Sequence, residues 1–170
     1  MGIEEVISET MESWQRERPD IDFTAMSLAL KLNAVHQRAA QHTHEQLAPL
    51  GISLGEFDVL ATVRRHGKDA VMTPSEIAAL TLISQSGLTH RLTSLVTMGL
   101  ITRQRDPKDK RSSLIGLTAE GIRIVDKGIE IVVAVQTETC MIVSNNQRET
   151  FEKILDRLLQ RADVMVDTDR

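Results

Sequence analysis

The sequence predicts a mainly α-helical fold with one β-hairpin, and three observations lead to that prediction. Over most of the 170 residues, apolar side chains recur every three or four positions, the spacing of helices with one buried face. Two segments begin with a capping residue followed three positions later by glutamate, which is a helix-start signature. Residues 100–117 change to short apolar runs around a charged turn, which is the pattern of a hairpin.

The N-terminal helices are predicted from this spacing and from proline. Residues 3–14 carry an apolar residue every three or four positions, and Pro19 ends their helix because the residue before proline disfavours helical backbone. A longer helix from about residue 23 to residue 47 has apolar residues around much of its circumference. That width indicates burial between several partners.

Three helices are predicted in the middle of the chain. Capping boxes at residues 53–56 and 73–76 start helices that run to about residues 65 and 80. Ser84 caps a third helix, for which Gly99 is the stop signal.

Two more helices are predicted after the hairpin. Thr118 caps the first, and residues 144–146 interrupt it. Asn146 with Glu149 is predicted to start the last helix. Its apolar residues form one stripe, made of Phe151, Ile154, Leu155, Leu158, Leu159, Ala162 and Met165.

Composition and charge exclude several classes of protein. The formal net charge is −4, but residues 58–111 hold nine Lys/Arg against five Asp/Glu, which suggests an anion-binding surface on an acidic scaffold. No apolar run approaches the roughly 18 residues of a membrane span, and the first residues are acidic, unlike a signal peptide. We therefore expect a cytoplasmic protein with no membrane partner.

Enzyme, cofactor and metal motifs are not found in the sequence. It has no phosphate-binding glycine loop, no nucleophile elbow and no zinc-protease motif, so we expect neither catalytic residues nor a cofactor. His36, His42 and His44 do not share a spacing that suits one metal ion, and surface histidines are the better interpretation.

The short capped helix, a three-residue turn and the helix from Ser84 resemble a helix-turn-helix, whose second helix enters the major groove of DNA. Leu88, Leu92 and Leu95 are expected to face the core. The residues expected to contact phosphates or base edges are Ser84, Gln85, Ser86, Thr89 and His90. The hairpin tip fits a basic wing over the adjacent DNA backbone, with Lys108, Lys110 and Arg111 as its cations.

These segments resemble the MarR family of winged-helix repressors over nearly the whole chain. The resemblance is carried by TPSEIAALTLISQSGLTHRLTSLVTMGLITR, by DPKDKRSSLIGLTAEG and by the flanking helices. It implies a winged helix-turn-helix with a two-stranded wing in residues 51–117 and a dimerisation region in residues 20–50 and 118–170. Residues 1–19 would be an extra N-terminal helix. In the wing, Asp109 would support Arg111, the implied minor-groove contact.

The same resemblance implies a homodimer on double-stranded DNA. Its operator would be pseudo-palindromic, with half-sites about one helical turn apart. A finer resemblance is to the urate-responsive branch of the family, the HucR- and PecS-like regulators. It implies that Trp14, Asp58, Arg91 and Arg103 surround a small, urate-like anion.

This site makes physical sense, since two guanidiniums can bind a planar anion while an indole covers its face. Asp58 would pair with an arginine in the empty site, so that an entering anion shifts the helix carrying Arg91 and releases DNA.

Several alternatives stay open. The effector could be another phenolic or organic acid. Trp14 could simply staple the first helix to the body, and Asp58 could form a structural ion pair. A redox switch at Cys140 is a further alternative, although its apolar helix favours an inert core residue.

Overall fold

The structure is a computed structural model that describes residues 2–81, 85–105, 107 and 112–167, apart from the side chains of residues 85 and 163–167. Within these residues it contains seven α-helices and a small antiparallel sheet, which confirms the mainly helical prediction. The chain divides into two compact units, Met1–Val132 and Val133–Arg170. No helix among the described residues is long and apolar enough to cross a membrane.

Helices α1 (Ile3–Glu17) and α2 (Thr24–Leu47) begin the fold. The first ends just before Pro19, as predicted. Of the α2 residues, all of which are described, only Thr43 and Leu47 are buried. The expected burial of α2 between several partners is therefore not reached within one chain, and its exposed apolar side chains include Met26, Leu28, Leu32 and Val35.

The predicted capping boxes start α3 (Leu54–Arg64) and α4 (Pro74–Leu80). At the first box, the Ser53 N–H donates to the Glu56 carboxylate at 2.8 Å, while the Ser53 hydroxyl accepts from the Glu56 N–H. Thr73 makes the same reciprocal bonds at the second box. Two strongly capped helix starts thus fix the beginning of the helix-turn-helix.

Helix α5 (Gln85–Thr97) follows, and Ser84, its predicted cap, lies outside the described residues. Gly99 follows the helix with φ of 70°, which confirms the predicted stop because this left-handed backbone favours glycine.

Three strands form the sheet, in the order β1 (Val71–Met72), β3 (Ser113–Leu117), β2 (Ile101–Arg105). The β2–β3 hairpin confirms the predicted wing strands, with Ile101 opposite Leu117. Strand β1 was not predicted, so the sheet has three strands instead of two. A two-residue strand is too short to show the alternation that reveals strands in a sequence.

The core joins the three central helices to the sheet and to α6 (Ala119–Cys140). The predicted cap of α6 is confirmed, since the Thr118 hydroxyl accepts from the Gly121 N–H at 2.9 Å. The fully buried side chains come from six elements and include Leu47, Leu60, Ile77, Leu95, Ile115 and Val125. Their packing fixes α5 against the base of the hairpin.

The predicted start of the last helix was wrong. Helix α7 (Asn145–Asp167) is capped by Ser144, whose N–H donates to the Gln147 side-chain oxygen at 2.9 Å. The Gln147 N–H in turn donates to the Ser144 hydroxyl. Glutamine replaces glutamate in this capping box, so the competing pair of Asn146 and Glu149 is not used.

Candidate DNA-binding surface and anion site

Helix α5 has a buried apolar face and an exposed polar face. Leu88, Leu92 and Leu95 are buried, which confirms the predicted core side. The polar face begins with Ser86, Thr89 and His90, all of which are exposed. Farther along it, His90, Thr93 and Thr97 line a shallow depression of about 380 Å³. This face is open to a macromolecule along more than two helical turns.

The wing is described as far as its stem. Arg103 and Arg105 lie on β2 with exposed side chains, and Arg103 Nε donates to the Ser113 hydroxyl across the hairpin at 3.1 Å. The predicted wing-tip residues Lys108, Asp109, Lys110 and Arg111 lie outside the described residues, as does the side chain of Gln85. The stem is thus basic up to the point where the described strand ends.

Asp58 and Arg91, two of the four predicted anion-site residues, lie close together where α3 meets α5. Partial burial within the fold raises the pKa of the Asp58 carboxyl, and the positive charge of Arg91 partly offsets this rise. A Cβ atom on Gly55 would lie 2.7 Å from Cζ of Arg91, so the guanidinium occupies the space that a side chain would fill. The absence of a side chain at Gly55 therefore allows Arg91 to lie against α3.

Glu56 adds a contact that sequence reasoning missed. Its carboxylate belongs to the α3 capping box and also accepts a hydrogen bond from the Ser94 hydroxyl at 2.6 Å. Partial burial alone would raise the pKa of Glu56, but the bonds from Ser53 and Ser94, with the charge of Arg91, lower it. This carboxylate links the first turn of α3 to the middle of α5.

Of the four predicted residues, all of which are described, only Asp58 lines the adjacent cavity. That cavity has a volume of about 230 Å³ and is lined by Asp58, Ala61, Thr62, Arg65, Leu80 and Thr81. Trp14 instead stacks on Phe23, with ring centroids 6.1 Å apart, and Arg103 contacts Ser113. Arg65 is the cation that lines this cavity, and the sequence analysis did not single it out.

Cys140 was expected to be a core residue, and this prediction was wrong. The side chain is exposed in this chain, near the carboxyl end of α6. The apolar residues around it in sequence do not enclose it in this chain. Among the described residues, no group of three His, Cys, Asp or Glu side chains could hold a metal ion.

Comparisons with known proteins agree with this geometry. The sequence model of the MarR family matches residues 50–112, which include α3, α4 and α5. The chain is 30% identical over 152 residues to the HTH-type transcriptional regulator PecS of Dickeya dadantii, covering 89% of this chain and 92% of that protein. It is 29% identical over 129 residues to the multiple antibiotic resistance protein MarR of Escherichia coli, covering 75% and 88%.

Solved structures show the same fold. A crystal structure of mutant MarR from E. coli complexed with operator DNA has a TM-score of 0.71 at 28% identity, covering 81% of this chain and 96% of that one. A MarR-like regulator from Bacillus cereus has a TM-score of 0.74 at 16% identity, covering 82% and 99%, and supports the fold alone. This chain therefore belongs to the MarR family of winged helix-turn-helix transcriptional regulators, and the prediction of a DNA-binding regulator rather than an enzyme is confirmed.

Proposed function

We propose that the protein is a repressor that binds a palindromic operator as a homodimer and is released by a small anionic effector. The observation that carries this proposal is the two-sided α5, which is fixed to the core by three leucines and exposes a polar face directly after α4. An amphipathic helix held in this way is the element that other helix-turn-helix proteins insert into the major groove.

Specific contacts are assigned to the polar face of α5. Ser86, Thr89 and His90 can reach base edges, since hydroxyl and imidazole groups donate and accept hydrogen bonds there. Ser84 and Gln85 would lie nearer the phosphates. The wing tip would neutralise the adjacent backbone through Lys108, Lys110 and Arg111, an arrangement that positions the protein without reading sequence.

Exposed apolar side chains support the homodimer. Besides those of α2, helix α7 exposes a row at helical spacing, made of Phe151, Ile154, Leu158 and Leu159. Soluble proteins do not usually leave rows of large apolar residues open to water on two helices, and a second copy of the chain would cover them. Residues 20–50 and 118–170 would then form the dimerisation region around a DNA-binding domain of residues 51–117.

We propose that the effector acts where the charge of Arg91 faces Asp58, between α3 and α5. An anion that binds Arg91 competes with Asp58 and Glu56 for the guanidinium, and Arg91 lies on the same helix as the residues proposed to read DNA. A ligand that alters this contact therefore biases the position of α5. Urate is the first candidate, with other phenolic or organic acids as alternatives, and Trp14 and Arg103 remain predicted contributors.

Selection of bound duplexes from a random DNA library tests the proposal. We expect the purified protein to recover a palindrome whose half-sites lie about one helical turn apart. The association constant for that duplex should fall as the salt concentration rises. A plot of its logarithm against the logarithm of the salt concentration should have a slope of about −0.9 for each neutralised phosphate. Recovery of no consensus, or binding without salt dependence, would contradict operator recognition.

Two variants separate the proposed roles. Arg111→Ala should weaken binding to all duplexes and reduce the salt slope by about one, whereas His90→Ala should change which sequence is preferred. Arg123→Gln is the control, since Arg123 pairs with Glu120 on α6.

The effector is tested by adding candidate molecules to the complex with the selected duplex. Release of the duplex by urate or salicylate supports the anionic effector. Release by peroxide in wild type, but not in Cys140→Ser, would favour the redox alternative.

A further inference from the structure

Two charged residues, Asp58 and Arg65, lie on one stripe formed by α3 and its C-cap residue. Gly55, Asp58, Thr62 and Arg65 follow one another at spacings of three, four and three, so they lie along one stripe of the helix. The Arg91 guanidinium covers Gly55 at one end of the stripe. Arg65 stands at the other end, about 15 Å away by helical rise, with Asp58 between the two cations.

The cavity of about 230 Å³ opens over the second half of this stripe. Asp58 and Arg65, seven residues apart along the chain, both line this cavity, together with Leu80 and Thr81. At about 230 Å³ the cavity is smaller than most ligand pockets, which measure roughly 300–1,000 Å³. It therefore suits a molecule of one or two small rings. A carboxylate and a guanidinium in the lining of one cavity favour a ligand that has both an acidic oxygen and a hydrogen-bond donor.

Arg65 also connects the cavity to the helix-turn-helix. Its Nη2 donates to the carbonyl oxygen of Leu80 at 3.1 Å, and Leu80 is the last residue of α4. This bond uses one of the five N–H donors of the guanidinium. An anion that accepts hydrogen bonds from Arg65 therefore sits beside the carboxyl end of α4, where the chain turns toward α5.

We propose that this cavity binds a small planar organic acid, whose acidic oxygens accept from Arg65 and whose N–H or O–H group donates to Asp58. The inference rests on the effector response proposed above and adds Arg65 to Arg91 as a second arginine for the effector, on the other side of Asp58 along α3. Binding draws the guanidinium away from the Leu80 carbonyl, or reorients it there, and so acts on the turn between α4 and α5. Arg103, which contacts Ser113 on the hairpin, is not needed for this mode of binding.

Calorimetric titration of the full-length protein tests the proposal, with urate and salicylate as probes. Arg65→Gln removes the charge and keeps a polar, though shorter, side chain, and it should weaken binding about tenfold or more. Arg65→Lys should restore part of that loss. Arg123→Gln, which removes an arginine of α6 that pairs with Glu120, should bind as tightly as wild type. Benzoate, which lacks the hydroxyl donor that 4-hydroxybenzoate carries opposite its carboxylate, should bind more weakly than 4-hydroxybenzoate to wild type but not to Asp58→Asn.

The outcomes distinguish this inference from the effector response itself. If neither probe binds wild type, both proposals fail. If a probe binds wild type and Arg65→Gln equally, and Arg103→Gln alone weakens it, the effector response stands and the placement at Arg65 is wrong. A lower melting temperature of Arg65→Gln with unchanged affinity would show that Arg65 acts only through Leu80, which also overturns the proposal.

Discussion

Replacing Gly55 with alanine should separate the effector response from the stability of the fold. The new methyl group would lie 2.7 Å from Cζ of Arg91, about 1 Å inside the usual contact distance of roughly 3.5–4.0 Å. The guanidinium is the end of a long, flexible side chain, so we expect it to move while the backbone of α3 stays in place. Arg91 then leaves its position beside Asp58 and Glu56.

The two effects of Gly55→Ala differ in size. Alanine favours helix over glycine by up to about 1 kcal/mol, while the partly exposed charge contacts of Arg91 contribute about 0–1 kcal/mol. These terms oppose each other, so the free energy of unfolding should change by less than about 1 kcal/mol. A lost charge-assisted hydrogen bond is worth about 1.5–3 kcal/mol, which corresponds to effector binding roughly 10–150-fold weaker.

Urea denaturation and calorimetric titration with urate and salicylate measure the two quantities. Gly121→Ala is the matched control, because a methyl group there would overlap the carbonyl oxygen of Leu100. That oxygen accepts from the Thr118 N–H at 3.1 Å and cannot swing aside as a side chain can. Gly121→Ala should therefore lose about 2 kcal/mol or more. Equal destabilisation by both substitutions, or unchanged effector affinity in Gly55→Ala, would refute the reasoning.

Two further predictions concern the carboxylates beside Arg91. Ser94→Ala removes the 2.6 Å bond to Glu56 and should cost about 1–2 kcal/mol in urea denaturation at neutral pH. Because the pKa of Glu56 is lowered in the fold, this loss of stability should become smaller as acid protonates the carboxylate. A loss that stays the same at low pH would contradict this prediction. The pKa of Asp58 is raised, so the contribution of Asp58 to wild-type stability falls as pH rises from about 4 through that raised value. Asp58→Asn should therefore gain stability relative to wild type over that range, and a difference independent of pH would contradict the assignment.

Local signals explain why most of the fold could be predicted from the sequence. The boxes at Ser53 and Thr73 depend on residues three positions apart, and both form as expected. The same reasoning gave a wrong start for α7, where two capping boxes overlap in the sequence and the box that begins at Ser144 is the one that forms. A serine is a strong cap on its own, but sequence alone does not decide between adjacent capping candidates.

The candidate site depends on contacts between distant parts of the chain, and fewer of these could be predicted. The proximity of Asp58 and Arg91 was anticipated through a family resemblance, not through spacing. The bond between Glu56 and Ser94 joins residues 38 positions apart, and no periodicity indicates it. Arg65 was overlooked for the same reason, since its partner is a backbone carbonyl at the end of another helix, which any residue type could supply.

Gly55 connects the local rules to the candidate site. Glycine in the first turn of a helix weakens that helix, and the chain compensates with the reciprocal bonds of Ser53 and Glu56 on either side of it. What the glycine provides is room for Arg91. Positions that break a local preference are often functional, and here the exception lies where α3 meets α5. The bond from Ser94 to Glu56 holds α5 at that point, so a charge placed beside Asp58 acts within one helical turn of the contact that positions α5.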